Sequence, residues 1–348
     1  MTDAVATVLP IDRSRYEQQP HPQIQRLTMV QAITSALEIE MARDESVVVL
    51  GEDVGVDGGV FRATDGLLDR FGPQRVFDTP LAESGIVGFS LGLAQAGFRP
   101  VAEIQFMGFV YPAVNQLMAH VSRYRNRTRG KRCAPLVVRM PHGGGIRALE
   151  HHSESYEVMF AGTPGLKVVI PSTPRDAKGL LASAIRDDDP VIFLEPTRLY
   201  RASREQVPEG ELLVPLGQAR VVRAGTEITI IAYGGMVRIA EQAAEELAKE
   251  SISAEVLDLR TIMPFDKEAI LNSASKTGRI IVVHEAPRSF GVGAEIAAFI
   301  QERAMLELLA PIQRVTGLDT VFPYAQLEEQ YLPNPRRIVA AAKEALNF

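Results

Sequence analysis

A glutamate, Glu83, follows the apolar pair Leu81 and Ala82 and stands at the start of a glycine-rich stretch, residues 84–97, that reads as a helix. A carboxylate at a helix N-terminus is stabilised by the helix dipole and by uncapped backbone N–H groups. Such a group is either a plain helix-end charge or an acid–base group, and its position alone leaves both open. Two histidines, His151 and His152, lie in the polar segment LEHHSES, shortly after the run HGGG at residues 142–145. We read HGGG as flexible and the histidine loop as a candidate active-site rim. The two rings are adjacent and neither H-E-x-x-H nor H-x-x-x-H occurs, so the spacing does not suit zinc. Residues 88–92 match the G-x-S-x-G pattern of serine hydrolases, with Asp258 and His284 following in a workable order. Ser90 falls inside the predicted helix, however, and not on a strand-to-helix turn. A buried small residue is the simpler reading. The pair Gly291 and Gly293 opens a helix after RIIVVHE, but Ile296 stands where a dinucleotide fingerprint has its third glycine. Close strand–helix packing accounts for that pair.

Holding these groups in place requires a scaffold, and the apolar pattern supplies one. Thr28 with Gln31 forms a capping box, and Val30, Ile33, Leu37 and Met41 recur at helical spacing. Short apolar strands are expected at 47–50, 76–77, 101–105, 136–140, 168–170 and 191–194, with helices at 84–97, 111–123 and 175–186. After a polar stretch the alternation resumes, with strands at 218–223, 227–233, 254–258 and 279–283. Helices are expected at 237–250 and 294–303, and a last one follows Pro335. This is a two-domain α/β fold with mostly parallel sheets covered on both faces. The expected division is an arm over 1–23, a first domain over 24–200, a linker over 201–213 and a smaller domain over 214–348.

Composition narrows the function. A chain of 348 residues exceeds one ordinary core. The net charge of −6 argues against nucleic acid as a main partner. One basic cluster, residues 123–132, reads as a solvated helix end or a partner-protein contact. Cys133 is the single cysteine, so no intrachain disulfide forms. No apolar run approaches a membrane span, and no secretory signal is apparent, so the expected location is the cytoplasm.

Several separated segments resemble one family. They are GEDVG (51–55), FDTPLAESGIVGFSLGLA (77–94), AEIQFMGFVYPAVNQ (102–116), HHSES (151–155), GLKVVIPSTPRDAKGLLASAI (165–185), FLEPTRLYR (193–201) and HEAPRSFGVGAEIAAFI (284–300). Together they resemble the beta subunit of the thiamine-diphosphate-dependent, decarboxylating component of 2-oxo acid dehydrogenase complexes. FLEPTRLYR and HEAPRSFGVGAEI look closer to the branched-chain group than to the pyruvate group.

The resemblance implies a pyrimidine-binding domain followed by a transketolase C-terminal-type domain. It implies that Glu83 hydrogen-bonds the cofactor's aminopyrimidine and activates it, that Gln105 and Phe109 line that ring, and that His152 acts in acyl transfer to a lipoyl group. Several relatives have tyrosine where Phe109 stands. A structural potassium site is implied at Ala134, Leu136, Val137, Ala184, Asp187 and Asp189, where Asp189 replaces a frequent asparagine. Thiamine enzymes hold the diphosphate through magnesium with a G-D-G sequence and a following asparagine, and this sequence has no G-D-G. The expected partners are therefore an alpha subunit carrying that half, in an α2β2 heterotetramer, and a lipoylated dihydrolipoyl acyltransferase core. A pyruvate dehydrogenase beta subunit is the nearest alternative. A serine hydrolase through Ser90 and a non-catalytic scaffold are alternatives of other classes.

Overall fold

The computed structural model describes residues 23–348, so the expected arm lies outside it except for Gln23. Thr28 caps the helix Met29–Arg43: its hydroxyl accepts from Gln31 N at 3.4 Å, and Gln31 Oε1 accepts from Thr28 N at 3.1 Å. In chain order the strands are β1 (Ile24–Leu27), β2 (Val47–Gly51), β3 (Val76–Asp78), β4 (Arg99–Glu103), β5 (Val137–His142), β6 (Lys167–Val169) and β7 (Val191–Pro196). There follow β8 (Glu205–Pro208), β9 (Arg220–Arg223), β10 (Ile228–Ala232), β11 (Ala254–Asp258), β12 (Thr261–Met263), β13 (Ile280–His284) and β14 (Gln313–Thr316).

The larger sheet has the order β12-β6-β7-β5-β4-β2-β3, and every neighbouring pair is parallel except β12 with β6. The second has the order β14-β13-β10-β11-β9, with only β9 antiparallel to its neighbour. Strands buried on both faces need unbroken apolar runs. VVVLG in β2, ITIIA in β10 and IIVVH in β13 meet this, each buried at every residue. Helices Met29–Arg43 and Pro174–Arg186 cover one face of the larger sheet. Between them Glu40, fully buried, accepts from Arg186 at 2.9 and 2.6 Å and from Arg43 at 2.8 Å. Helix Glu83–Gln95 packs on the other face through Ile86, Val87 and Leu91. In the second sheet, helices Gly235–Lys249 and Pro335–Leu346 share one face, while Lys267–Thr277 and Val292–Ala304 share the other.

The structure departs from expectation in three places. The stretch expected as a helix over 111–123 breaks into a 3-10 turn, Tyr111–Ala113, and a π-helical stretch, Gln116–Val121. Pro112 fits the first turn, where its missing N–H has no intrahelical acceptor to lose, and nothing in the structure explains the later π-helical turn. The expected linker carries β8, which pairs antiparallel with β1, Ile24 facing Pro208. Buried Lys178 fixes its end by donating to the carbonyls of Pro208 (2.5 Å) and Glu209 (3.1 Å). Finally, β4 begins and ends two residues early, which leaves Gln105 beyond its carboxyl end.

The two halves are tied together twice. The chain leaves β11 and at once adds β12 to the edge of the larger sheet. Beside that crossing, Asp258 accepts from Ser172 Oγ, Asp176 accepts from Arg260 Nη1 at 3.1 Å, and Arg220 lies 3.1 Å from Asp176 and 3.7 Å from Asp258. Burial, then the charge of Asp176, push the Asp258 carboxyl up to about 7 against the opposing pull of Ser172, Arg220 and Arg260. The native state therefore takes up this proton near pH 7, whereas the unfolded chain does so near 3.8. Stability from this group rises as pH falls through that window. Asp258→Asn is expected to raise the melting temperature by a few degrees at pH 8 and to lose that advantage near pH 4. Equal gains at both pH values in thermal melts would contradict this reading of Asp258.

Candidate active site at the carboxyl edge of the larger sheet

β4, β2 and β3 lie side by side and parallel, so their carboxyl ends open on one edge. Open α/β sheets place ligands at such edges. Glu52 and Asp53 follow β2, and Gln105 follows β4. Glu83 follows β3 by a short turn and is the first residue of helix Glu83–Gln95, whose N-cap, Ala82, gives no side-chain bond. Glu52 is 7% exposed and its Oε1 has no hydrogen-bond partner. Burial first, and then the charges of Glu83 and Asp53, push the Glu52 carboxyl above the usual carboxylate range. The Gln105 amide joins this group by donating to Asp53 Oδ2 at 3.0 Å.

The histidine loop reaches the same edge from β5. The 3-10 turn Glu150–His152 sits directly on the 3-10 turn Met107–Phe109. A Cβ at Gly108 would lie 2.0 Å from the His151 carbonyl oxygen, so only glycine lets the turns meet. His152 then lies edge-on to Phe109, with ring centroids 5.1 Å apart, and its Nδ1 is buried without a partner. His151 stacks on Phe109 at 6.4 Å. The structure thus brings Glu83, Gln105, Phe109 and His152 to one sheet edge.

HGGG, expected to be flexible, is held in place. His142 ends β5, fully inside the protein, and its Nε2 lies 3.3 Å from Glu157 Oε2. Gly144 N donates to Glu285 Oε2 at 2.9 Å, and Gly145 N donates to Glu328. The run is therefore clamped by carboxylates of the C-terminal half. Burial pushes the Glu157 carboxyl up, but hydrogen bonds and charge from His142 and contacts with His284 and Tyr233 outweigh it and hold it at about 2.

Beneath the edge sits a charge cluster that the sequence reading missed. Arg139 of β5, 1% exposed, donates to Glu195 of β7 through Nε (2.7 Å) and Nη2 (2.8 Å), and through Nη1 to Glu103 of β4. Tyr200 donates to Glu195 Oε2 at 2.5 Å. The available signal was a charge interrupting each of three apolar strands, VAE, VVR and VIFLE, with Glu103 facing Arg139 and Glu195 two residues further along its own strand. Removing the guanidinium would strand two buried carboxylates, a loss of about 3–5 kcal/mol. Arg139→Met is expected to show that loss in denaturant melts; a change under about 1 kcal/mol would remove the cluster's structural role.

The positions implied for potassium lie at the opposite, amino-terminal edge. Ala134, Leu136 and Ala184 already accept backbone bonds from Leu136, Val191 and Asp187 at 2.9, 3.0 and 3.2 Å, each leaving a second lone pair. Asp187 takes Lys167 Nζ at 2.8 and 2.7 Å, and Asp189 takes Arg125 Nε at 2.5 Å. The oxygen donors suit a hard cation, with both carboxylates already charge-balanced. Arg125, Ala134, Lys167 and Asp189 also line a pocket of about 750 Å³, remote from Glu83. Of the basic cluster, Arg123, Arg127, Arg129, Lys131 and Arg132 are exposed.

The serine-hydrolase reading fails. Ser90 is fully buried in mid-helix and donates to the Ile86 carbonyl at 2.8 Å, Asp258 bonds Ser172, and His284 stacks on Tyr233 at 6.1 Å. Gly293 packs against His284, where a Cβ would lie 2.8 Å from Nε2, as expected of close strand–helix packing. Among the described residues no cluster of His, Cys, Asp and Glu suits a metal ion, and no helix is long and apolar enough to cross a membrane.

This architecture is that of a two-domain, transketolase-like α/β protein. The family described as "Transketolase, pyrimidine binding domain" matches residues 25–203, and "Transketolase, C-terminal domain" matches residues 217–338. The pyruvate dehydrogenase E1 component subunit beta of Bacillus subtilis is 54% identical, covering 93% of this chain and 99% of that protein. The protein of that name from Acholeplasma laidlawii is 52% identical, covering 90% of this chain and 96% of that one. A solved structure titled "Split gene transketolase, inactive beta4 tetramer" shares the fold at a TM-score of 0.74, with 23% identity over 93% of this chain and 99% of its own. The chain belongs to the transketolase-type family of E1 beta subunits of 2-oxo acid dehydrogenases.

Proposed function

We propose that this chain supplies the aminopyrimidine half of a thiamine diphosphate site in an E1 component that decarboxylates pyruvate and passes the acyl group to a lipoyl arm. The observation that carries the reading is the meeting of Glu83, Gln105, Phe109 and His152 at one sheet edge. A carboxylate, an amide and an aromatic ring suit a flat, weakly basic heterocycle, and Glu52 Oε1 and His152 Nδ1 still lack partners. Thiamine diphosphate held there would supply the nucleophile and electron sink for decarboxylating a 2-oxo acid. Glu83 would hold the proton shared with a ring nitrogen, Gln105 and Phe109 would orient the ring, and His152 would serve the transfer to the lipoyl group.

The diphosphate and its magnesium belong, in this reading, to an alpha chain in an α2β2 heterotetramer that docks on a lipoylated acyltransferase core. The absence of G-D-G supports it, as do Leu81, 80% exposed just before Glu83, and Phe89, 52% exposed further along the same helix, which a partner would cover. The names of the relatives favour pyruvate over the branched-chain substrate expected from FLEPTRLYR and HEAPRSFGVGAEI. Reconstituted α2β2 enzyme assayed with both substrates decides this: a higher kcat/KM with 3-methyl-2-oxobutanoate would reverse the choice. Glu83→Gln is expected to lower decarboxylation by about 10²–10⁴-fold while α2β2 assembly persists. Near-normal turnover would leave the non-catalytic scaffold as the better account.

We assign a structural potassium ion to the oxygens of Ala134, Leu136, Val137, Ala184, Asp187 and Asp189. Replacing potassium by sodium at constant ionic strength should then lower the melting temperature of the assembled enzyme. Identical melts in the two salts would count against the site.

A further inference from the structure

His152 has an unusual support. No hydrogen bond fixes its Nδ1, which is buried. Its ring is held instead by aromatic edges, and the nearest belongs to Phe106, with centroids 4.5 Å apart at 65°. Phe106 is 8% exposed and leans on Phe61 at 5.4 Å and 71°. Phe61 in turn lies 4.9 Å from the ring of Tyr200, whose hydroxyl is bound to Glu195. Arg201 Nη2 donates to the Phe61 carbonyl at 3.0 Å and fixes the backbone of that link. An unbroken row of rings therefore runs from the buried Arg139 cluster to His152. Edge-to-face contacts have defined geometry and add to simple area burial. A ring without hydrogen-bond partners takes its orientation from them.

We propose that Phe106 is a positioning residue for His152, and that Phe61 and Tyr200 anchor it to the Arg139–Glu195 pair. Phe106 acts through the histidine and needs no contact with the reacting atoms. The proposal rests on the reading of His152 as the lipoyl-transfer histidine, so its effect belongs to that half-reaction. A displacement of about 1 Å at a reacting group can lower a rate by up to 10²-fold. Leucine at 106 keeps apolar volume but removes the ring edge, and tyrosine keeps the edge.

The test uses the assembled α2β2 enzyme and the ratio of two rates: lipoyl acylation and decarboxylation read with an artificial electron acceptor. Phe106→Leu is expected to lower that ratio about tenfold, and Phe106→Tyr to restore most of it. Combined with His152→Ala, Phe106→Leu should lower the ratio no further, because the two changes remove one function. If His152→Ala lowers the ratio and Phe106→Leu leaves it at the wild-type value, or adds to the loss in the double variant, the positioning role is wrong. A ratio unchanged in His152→Ala removes the underlying role of the histidine, a separate failure. Should Phe106→Leu not assemble, Phe61→Leu, one ring further out and half-buried, decides: a lowered ratio supports the row of rings and a wild-type ratio overturns it.

Discussion

One buried cation constrains the larger sheet. Arg139 has almost no contact with solvent, and its neighbours Glu103 and Glu195 are 3% and 0% exposed. A buried charge is tolerable only when paired and hydrogen-bonded. The fork of the guanidinium meets Glu195 with two bonds and Glu103 with a third, so the register of β4, β5 and β7 is fixed at the level where the strands end. Part of what the proposed site needs begins just beyond that level. Gln105 and the turn bearing Phe106 and Phe109 follow Glu103, and Tyr200 follows Glu195. Replacing a buried ion pair by apolar residues of the same volume is often neutral or stabilising, but here it would also release the row of rings.

The edge above the cluster and the opposite edge have different characters. At the carboxyl edge, Glu52, Asp53 and Glu83 gather negative charge with no cation paired to them among the described residues, and burial first, then these charges, push the Glu52 carboxyl upward. At the amino-terminal edge, Asp187 and Asp189 are matched by Lys167 and Arg125. Balanced pairs hold a structure together. An unbalanced cluster beside unpaired polar atoms is costly to the isolated chain and becomes favourable only when a ligand or partner completes it.

Much of this was legible in the sequence, for identifiable reasons. The capping box at Thr28, the apolar runs of β2, β10 and β13 and the helix that begins at Glu83 are local signals, and local signals survive folding. Ser90 could be set aside because helical context denies it a turn. What could not be read depends on distant partners. HGGG carries the composition of a flexible loop, yet its N–H groups donate to Glu285 and Glu328, 141 and 183 residues away. β8 is short and polar and becomes a strand only because β1 pairs with it. Arg139 in VVRMPH resembles the solvent-facing residue of an alternating strand. Nothing local reveals that glutamates from both neighbouring strands converge on it.

The unpaired atoms at the carboxyl edge bear on how the chain would assemble. Each buried polar atom left without a partner costs about 1–3 kcal/mol, and Glu52 Oε1 and His152 Nδ1 stand at the edge where the cofactor half-site is proposed. A ligand that satisfies such groups in the native state alone stabilises it by mass action. Under the proposed function, cofactor binding, partner docking and folding stability form one linked equilibrium, because the same edge would serve all three. The clamped HGGG run, the seated histidine turn and the row of rings keep that edge in shape while it is incomplete. A half-site that relied on its ligand for its geometry would have to pay the ordering entropy on every encounter. In the proposed site the ordering is already done by Arg139, Gly108 and Phe106, which would leave the ligand to supply only the missing contacts.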